Sequence, residues 1–126
     1  MRTLNINYFF PIEPKSGVKS RWPGTFVSSQ VLMLKNQGIL TEVISPSPWI
    51  PSLFRQISSF QGFIPPDINS QFFGIKVVRR PFLNLPERFR KGFFGKYYKK
   101  MLNKVIIKSL NDLQNPEKID IIHSHF

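Results

Sequence analysis

The stretch that decides the fold is the last one, Lys118-Ile-Asp-Ile-Ile-His-Ser-His-Phe126. Its three isoleucines form a short β-branched run that follows a long helical pattern, which is typical of a strand buried in a parallel sheet. His123 and His125 are two residues apart, so on a strand both imidazoles lie on the same face. Because open α/β sheets bind ligands beyond the carboxyl ends of their strands, these histidines are the first candidate site residues.

The rest of the chain alternates between strand and helix patterns. The periodicity predicts strands from Arg2 to Phe10, from Leu40 to Ser45 and from Gly74 to Arg80, in addition to the final one. It predicts helices from Thr25 to Gln37, ended by Gly38, and from Glu87 to Leu113. No regular structure is predicted for the proline-rich segment 46–51 or for the turn 81–86, and the segment 52–70 allows only a short helix around Leu53 to Phe60, ended by Pro65-Pro66.

This order predicts an α/β fold, a Rossmann-like parallel sheet with helices on both faces. In the dinucleotide-type strand order 3-2-1-4, the first and fourth strands are neighbours at the point where the order reverses. The long connection 11–24 leaves the first strand at that point. We therefore expect this loop and the two histidines to share one crevice.

Composition narrows the class of protein and of partner. A length of 126 residues suits about one domain, and 41% hydrophobic residues are typical of a globular protein. The chain has no cysteine, which excludes disulfides and thiolate chemistry. A net charge of +11 indicates an anionic partner, which could be a membrane surface, a nucleic acid or a phosphorylated substrate. No apolar run approaches the ~20 residues that cross a bilayer.

The loop before the first helix is the second candidate site. Ser16-Gly17 and Gly24-Thr25 lie in it, and Gly24-Thr25 leads directly into the helix. A helix N-terminus offers unpaired N–H groups and about half a positive charge, which suits phosphate. Neither GxGxxG nor GxxxxGK[ST] is present. An ordinary turn with glycines at positive φ explains the same residues.

The histidine pair allows several chemistries. Histidines in this pattern can ligate a metal, transfer protons, or hydrogen-bond a sugar or phosphate. Zinc sites use three or four protein ligands, and the chain offers only two histidines and no cysteine, so we predict no metal site. The alternative is two polar residues at the end of a strand with no further role.

The long helical pattern is strongly basic. Lysines and aromatic residues alternate along it, which is the pattern of helices that lie on a membrane surface and also suits nucleic acid. The third interpretation is a core-facing helix with a solvated lysine face. The predicted membrane-surface residues are Lys96, Lys99, Lys100 and Lys104.

Several segments together resemble a known family. They are Arg2-Thr-Leu-Asn-Ile-Asn-Tyr-Phe-Phe-Pro, Gly24-Thr-Phe-Val-Ser-Ser-Gln-Val-Leu-Met-Leu, Thr41-Glu-Val-Ile-Ser-Pro and Ile119-Asp-Ile-Ile-His-Ser-His-Phe. In this order and spacing they resemble the amino-terminal domain of family 4 glycosyltransferases, which are retaining enzymes of the two-domain GT-B fold. The resemblance covers almost the whole chain and is weakest over 52–73.

The resemblance implies a function and a set of roles. It implies transfer of a sugar from a nucleotide-sugar donor to a polysaccharide or lipid-linked acceptor, with no cofactor. His125 would face the transferred sugar in a catalytic role, with His123 binding substrate beside it. The region that holds Ser16, Gly17, Gly24 and Thr25 would approach the donor diphosphate. Many family members have adjacent glycines in this loop, whereas here Val18 follows Gly17.

The resemblance also bears on completeness and location. It implies that residues 1–126 are part of an amino-terminal domain, that the donor-binding domain is absent and that this fragment is inactive alone. We expect a cytoplasmic protein, with peripheral attachment at the inner face of the cell membrane left open by the basic helix. The alternative function is a small basic nucleic-acid-binding module.

Overall fold

The computed structural model describes residues 1–7, 10, 25–49, 68–83, 92–113 and 116–125. In this part of the chain, five consecutive strands lie between the two helices. In chain order they are β1 (Arg2–Asn7), α1 (Thr25–Asn36), β2 (Leu40–Ile44), β3 (Ser47–Trp49), β4 (Asn69–Phe72), β5 (Ile75–Val78), β6 (Pro81–Leu83), α2 (Gly92–Leu110), a 3-10 turn (Pro116–Lys118) and β7 (Ile121–His125).

The main sheet has five strands in the order β4-β5-β2-β1-β7. The four strands predicted from the sequence are β1, β2, β5 and β7, and they pair in parallel in the predicted order. β4 is antiparallel to β5, so the sheet is mixed and the prediction of a wholly parallel sheet is wrong. The antiparallel pairing of β4 with β5 follows from the tight turn at Phe73 and Gly74. Their φ angles of 47° and 76° suit a two-residue hairpin.

A second, two-stranded sheet corrects another prediction. β3 and β6 pair in parallel, although their prolines predicted irregular structure for 46–51 and a turn for 81–86. Proline lacks an N–H but is tolerated where that side of the strand needs no partner, as at a sheet edge. The pairing is prepared by Ser47, whose N–H donates to the carbonyl of Arg80 at 2.9 Å.

The two helices cover opposite faces of the main sheet. Adjacent residues of a strand point to opposite faces, so Val43 and Ile44 of β2 belong to different cores. The core under α1 contains Phe10, Val27, Val31, Val43, Phe72, Ile75 and Val77. The core under α2 contains Leu4, Ile6, Ile44, Val78 and Leu113, with Ile106, Leu110 and Ile119 packed against it. The prediction of helices on both faces is confirmed by these two clusters.

The helix ends agree in part with the predictions. α1 ends as predicted at Gly38, whose φ is +78°. The N–H of Ile39 donates to the carbonyl of Leu34 at 3.1 Å, which closes the helix with the bond pattern of a glycine C-terminal stop. α2 ends at Leu110, three residues earlier than predicted, and residues 87–91 of its predicted start lie outside the described residues. The short helix allowed around Leu53 to Phe60 also lies outside them.

Candidate functional site

The candidate site is built by the pairing of β7 with β1. In this register His123 lies opposite Asn5, and His125 lies opposite Asn7. Paired residues of parallel strands point to the same face, and Asn5 is also paired with Val43 of the α1 core. Both histidines and both asparagines therefore lie on the α1 face of the sheet, near the carboxyl ends of β1 and β7.

The two imidazoles are arranged side by side. Their ring centroids are 6.5 Å apart and their planes differ by 13°. Both side chains are half-buried, and Nε2 of His125 is a buried atom without a hydrogen-bond partner among the described residues. A neutral imidazole has one donor and one acceptor nitrogen. The pair can therefore take part in proton transfer or hydrogen-bond a hydroxyl or phosphate group.

The asparagines of β1 were missed as site residues by the sequence prediction. Asn5 is 0% exposed, and neither Oδ1 nor Nδ2 has a hydrogen-bond partner in the described part of the chain. Asn7 is also buried. The sequence signal for them was the presence of two amide side chains in a strand that is predicted to lie within a sheet. Buried polar groups are normally hydrogen-bonded, so amides at such positions are candidates for binding a ligand.

A buried cation also lies at the carboxyl edge of the sheet. Nη1 of Arg79 donates to the carbonyl of Phe10 at 2.7 Å, and its Nε donates to Oγ of Ser70 at 2.9 Å. The Phe10 N–H donates to Oγ of Ser45 at 3.3 Å. Burial lowers the pKa of Arg79 to about 10, so it remains charged at neutral pH. These contacts anchor the residue from which the long loop departs.

The predicted loop residues are only partly placed. Ser16, Gly17 and Gly24 lie outside the described residues, while Thr25 is the first residue of α1. The expectation that the loop meets the histidines in one crevice therefore stays a prediction. The start of α1 supplies the helix N-terminus on which that expectation depended.

The basic helix is separate from the histidine site. Lys96, Lys99, Lys100 and Lys104 are all exposed on α2. Because α2 packs against the opposite face of the sheet from the histidines, the two predicted sites do not come together. α2 contains no acidic residue, and no helix in the described part of the chain is long and apolar enough to cross a membrane.

Two apolar side chains accompany the exposed lysines of α2. Tyr97 is 59% exposed and Ile107 is 61% exposed. At 100° per residue, the i, i+4 series of lysines follows the side of the helix opposite the buried Leu102, and Tyr97 and Ile107 lie within the same arc. The series is Lys96, Lys100, Lys104 and Lys108.

No metal ligand set is formed by the described residues. Within them, no group of three or more histidine, aspartate, glutamate or cysteine side chains is close enough to hold an ion. Comparison with protein-family models, with curated proteins and with solved structures found no match to this chain. A fold can host many functions, so the function of this chain depends on the side chains at the site.

Proposed function

We propose that the chain is the acceptor-side part of a retaining glycosyltransferase, which moves a sugar from a nucleotide-sugar donor to a polysaccharide or lipid-linked acceptor. The observation that carries this proposal is the position of His125. It lies at the carboxyl end of β7 beside β1, with β2 on the other side of β1. In α/β sheets the ligand crevice lies where the chain leaves neighbouring strands in opposite directions.

The charges near this edge favour an anionic donor. Within a chain of net charge +11, Arg79 is a buried cation at the carboxyl edge. α1 begins with Thr25 after the connection from β1, and a helix N-terminus carries about half a positive charge. These features support binding of a nucleoside diphosphate, with Thr25 at its phosphates in the proposed role.

In the proposed reaction His125 hydrogen-bonds the sugar that is transferred. A group that donates to an oxygen whose charge grows in the transition state lowers the barrier more than it strengthens substrate binding. His123, on the same face and 6.5 Å away between ring centroids, binds the substrate beside it. Neither role needs a metal or a cofactor.

Transfer is tested on the protein at its full coding length. The assay follows release of nucleoside diphosphate from a panel of nucleotide sugars in the presence of membrane-lipid and polysaccharide acceptors. We expect release from one donor that depends on an acceptor. If no donor in the panel is turned over, the proposed transferase function is wrong.

We further propose that α2 holds the protein at an anionic membrane surface. A basic residue near an anionic leaflet contributes about 1 kcal/mol, and four exposed lysines of α2 are the predicted contacts. Tyr97 and Ile107 add exposed apolar area beside them. This arrangement is the one expected for a helix that lies in the interface plane.

Charge reversal at Lys96, Lys99, Lys100 and Lys104 is expected to abolish vesicle binding at low salt. Removing about four favourable contacts of 1 kcal/mol each corresponds to a loss of about 10³-fold in affinity. Binding is measured by co-sedimentation with vesicles that contain anionic lipid, across a salt series. The matched control changes the same four residues to arginine, which keeps the charge and should keep the binding.

Binding to duplex DNA, measured in the same salt series, distinguishes membrane attachment from the alternative function of nucleic-acid binding. Equal vesicle binding by the parent and the glutamate variant would mean that the lysines only solvate the helix. Duplex binding with a steep salt dependence, together with no vesicle binding, would favour a nucleic-acid-binding module instead.

A further inference from the structure

The buried polar atoms without partners are concentrated on one face of the sheet. Among the described residues, five buried side-chain nitrogen or oxygen atoms have no hydrogen-bond partner. Four of them belong to Asn5, Gln30 and His125: Oδ1 and Nδ2 of Asn5, Oε1 of Gln30 and Nε2 of His125. A buried donor or acceptor left unpaired costs about 1–3 kcal/mol, so this concentration calls for a function.

The strand register brings Asn5 and His125 together. Asn5 is opposite His123, and His125 is the next residue of β7 on the same face. Paired positions of neighbouring strands are about 4.8 Å apart, and the diagonal neighbour is within reach of a long side chain. The Asn5 amide and the His125 ring therefore border the same space above β1 and β7.

Gln30 approaches this space from α1. Lys35 leaves the helix toward the β4–β5 turn, where its Nζ donates to the carbonyl of Phe73. Gln30 is five residues earlier, which places it about 140° around the helix, on the side away from that turn. Val27 and Val31, which pack into the core over the sheet, lie between Lys35 and Gln30 around the helix, so the side of α1 that carries Gln30 is the one toward β1 and β7.

The geometry points to a hydroxyl-binding cradle formed by Asn5, Gln30 and His125, which receives one hydroxyl-bearing arm of a saccharide. Asn5 presents one acceptor and an N–H donor, whichever way its amide is oriented. Its occupant must therefore donate and accept hydrogen bonds, as a hydroxyl does and a fully ionised phosphate does not. None of the three side chains is an acid, so the cradle has no attraction for a cation.

The cradle deepens the proposed function, because it rests on that proposal for placing a sugar beside His125. Binding is nevertheless separable from transfer. If hydroxyl probes bind through Asn5 but the protein transfers no sugar, the transferase proposal is wrong and the cradle remains supported. If the protein transfers sugar equally well without Asn5 and Gln30, the cradle is wrong and the transferase proposal remains supported.

The test is an NMR titration of the 126-residue chain. The protein has only two histidines, so its imidazole C–H resonances report directly on the site. The probes are methyl α-D-glucopyranoside, glycerol and inorganic sulfate, each added up to its solubility limit. We expect the glucoside to shift a histidine resonance saturably, and glycerol to do so more weakly. Sulfate is fully ionised and cannot donate a hydrogen bond, so we expect it to shift neither resonance saturably.

The variants are Asn5→Leu and Gln30→Met, and each is expected to weaken glucoside binding about tenfold or more. Asn5→Leu replaces an unpaired amide by an apolar group of similar size, so it should fold at least as stably as the parent. Gln30→Met changes a residue of α1 and leaves the sheet unaltered. It therefore still tests the cradle if Asn5→Leu fails to fold.

The controls match these variants in position. Thr3→Val lies on the same face of β1, where the Thr3 hydroxyl is 3.1 Å from that of Thr41, and Gln37→Met lies just after α1. Both should bind the glucoside as the parent does. Three outcomes would overturn the inference: no saturable shift in the parent, binding by both cradle variants equal to that of the parent, or a saturable response to sulfate alone.

Discussion

Replacing Glu42 by alanine is expected to destabilise the protein by about 3–5 kcal/mol, because it leaves a buried arginine without its carboxylate. Nη2 of Arg2 donates to Oε2 of Glu42, and the two side chains are only 8% and 7% exposed. The pair joins β1 to β2, the central strands of the main sheet. Urea unfolding followed by circular dichroism measures the loss as a lower midpoint at an unchanged slope.

A double variant distinguishes the loss of the ion pair itself from the cost of leaving Arg2 buried as an uncompensated charge. Arg2→Met with Glu42→Leu removes both charges and keeps apolar volume, and such replacements are often neutral or stabilising. We therefore expect the double variant to be more stable than Glu42→Ala alone. A single variant that loses less than about 1 kcal/mol would mean that water reaches Arg2, as at an exposed ion pair.

If the proposed sugar transfer is correct, replacing His125 by alanine is expected to reduce its turnover by about 10²–10³-fold, the usual effect of removing one donor to a developing charge. The proposed hydrogen bond from His125 strengthens in the transition state, so kcat should fall more than KM rises. Steady-state kinetics on the donor found by the panel assay measure the two constants. His123→Ala should mainly raise KM, since its proposed role is substrate binding.

Ser124→Ala is the matched control for both histidine variants. Ser124 lies between the histidines on β7 but pairs with Ile6, so it points to the opposite face of the sheet. It is exposed, and its replacement should leave both kinetic constants within about twofold of the parent, as at most surface positions. Equal losses from Ser124→Ala and His125→Ala would indicate general damage to the strand edge.

The strand order of the four parallel strands was accessible from the sequence, whereas the hairpin and the small sheet were not. Apolar runs predict the four strands, and the dinucleotide-type order 3-2-1-4 predicts which of them are neighbours. β4 has only Phe72 buried among four residues, so its pattern is too weak to predict a strand. β3 and β6 were not predicted because they contain Pro48 and Pro81, and proline has a low strand propensity. Pairing with another strand in the folded protein overrides that propensity.

The candidate site was also predictable only in part from the sequence. The spacing of His123 and His125 predicts a shared face, and the register places both rings on the α1 side. Nothing local predicts that Asn5 is buried without a partner, because its surroundings depend on β7, which lies more than 110 residues away in the chain. Exposure of the α2 lysines was predictable from helical periodicity, since only one stripe of this 19-residue helix can face the core.

The anomeric configuration of the product tests the central claim most directly. The full-length protein is incubated with the accepted nucleotide sugar and its acceptor, and the new glycosidic linkage is assigned by NMR before any spontaneous equilibration. We predict a single product whose anomeric configuration is that of the donor, formed by the parent and suppressed by His125→Ala. An inverted product, or a retained product that forms equally well without His125, would contradict the account.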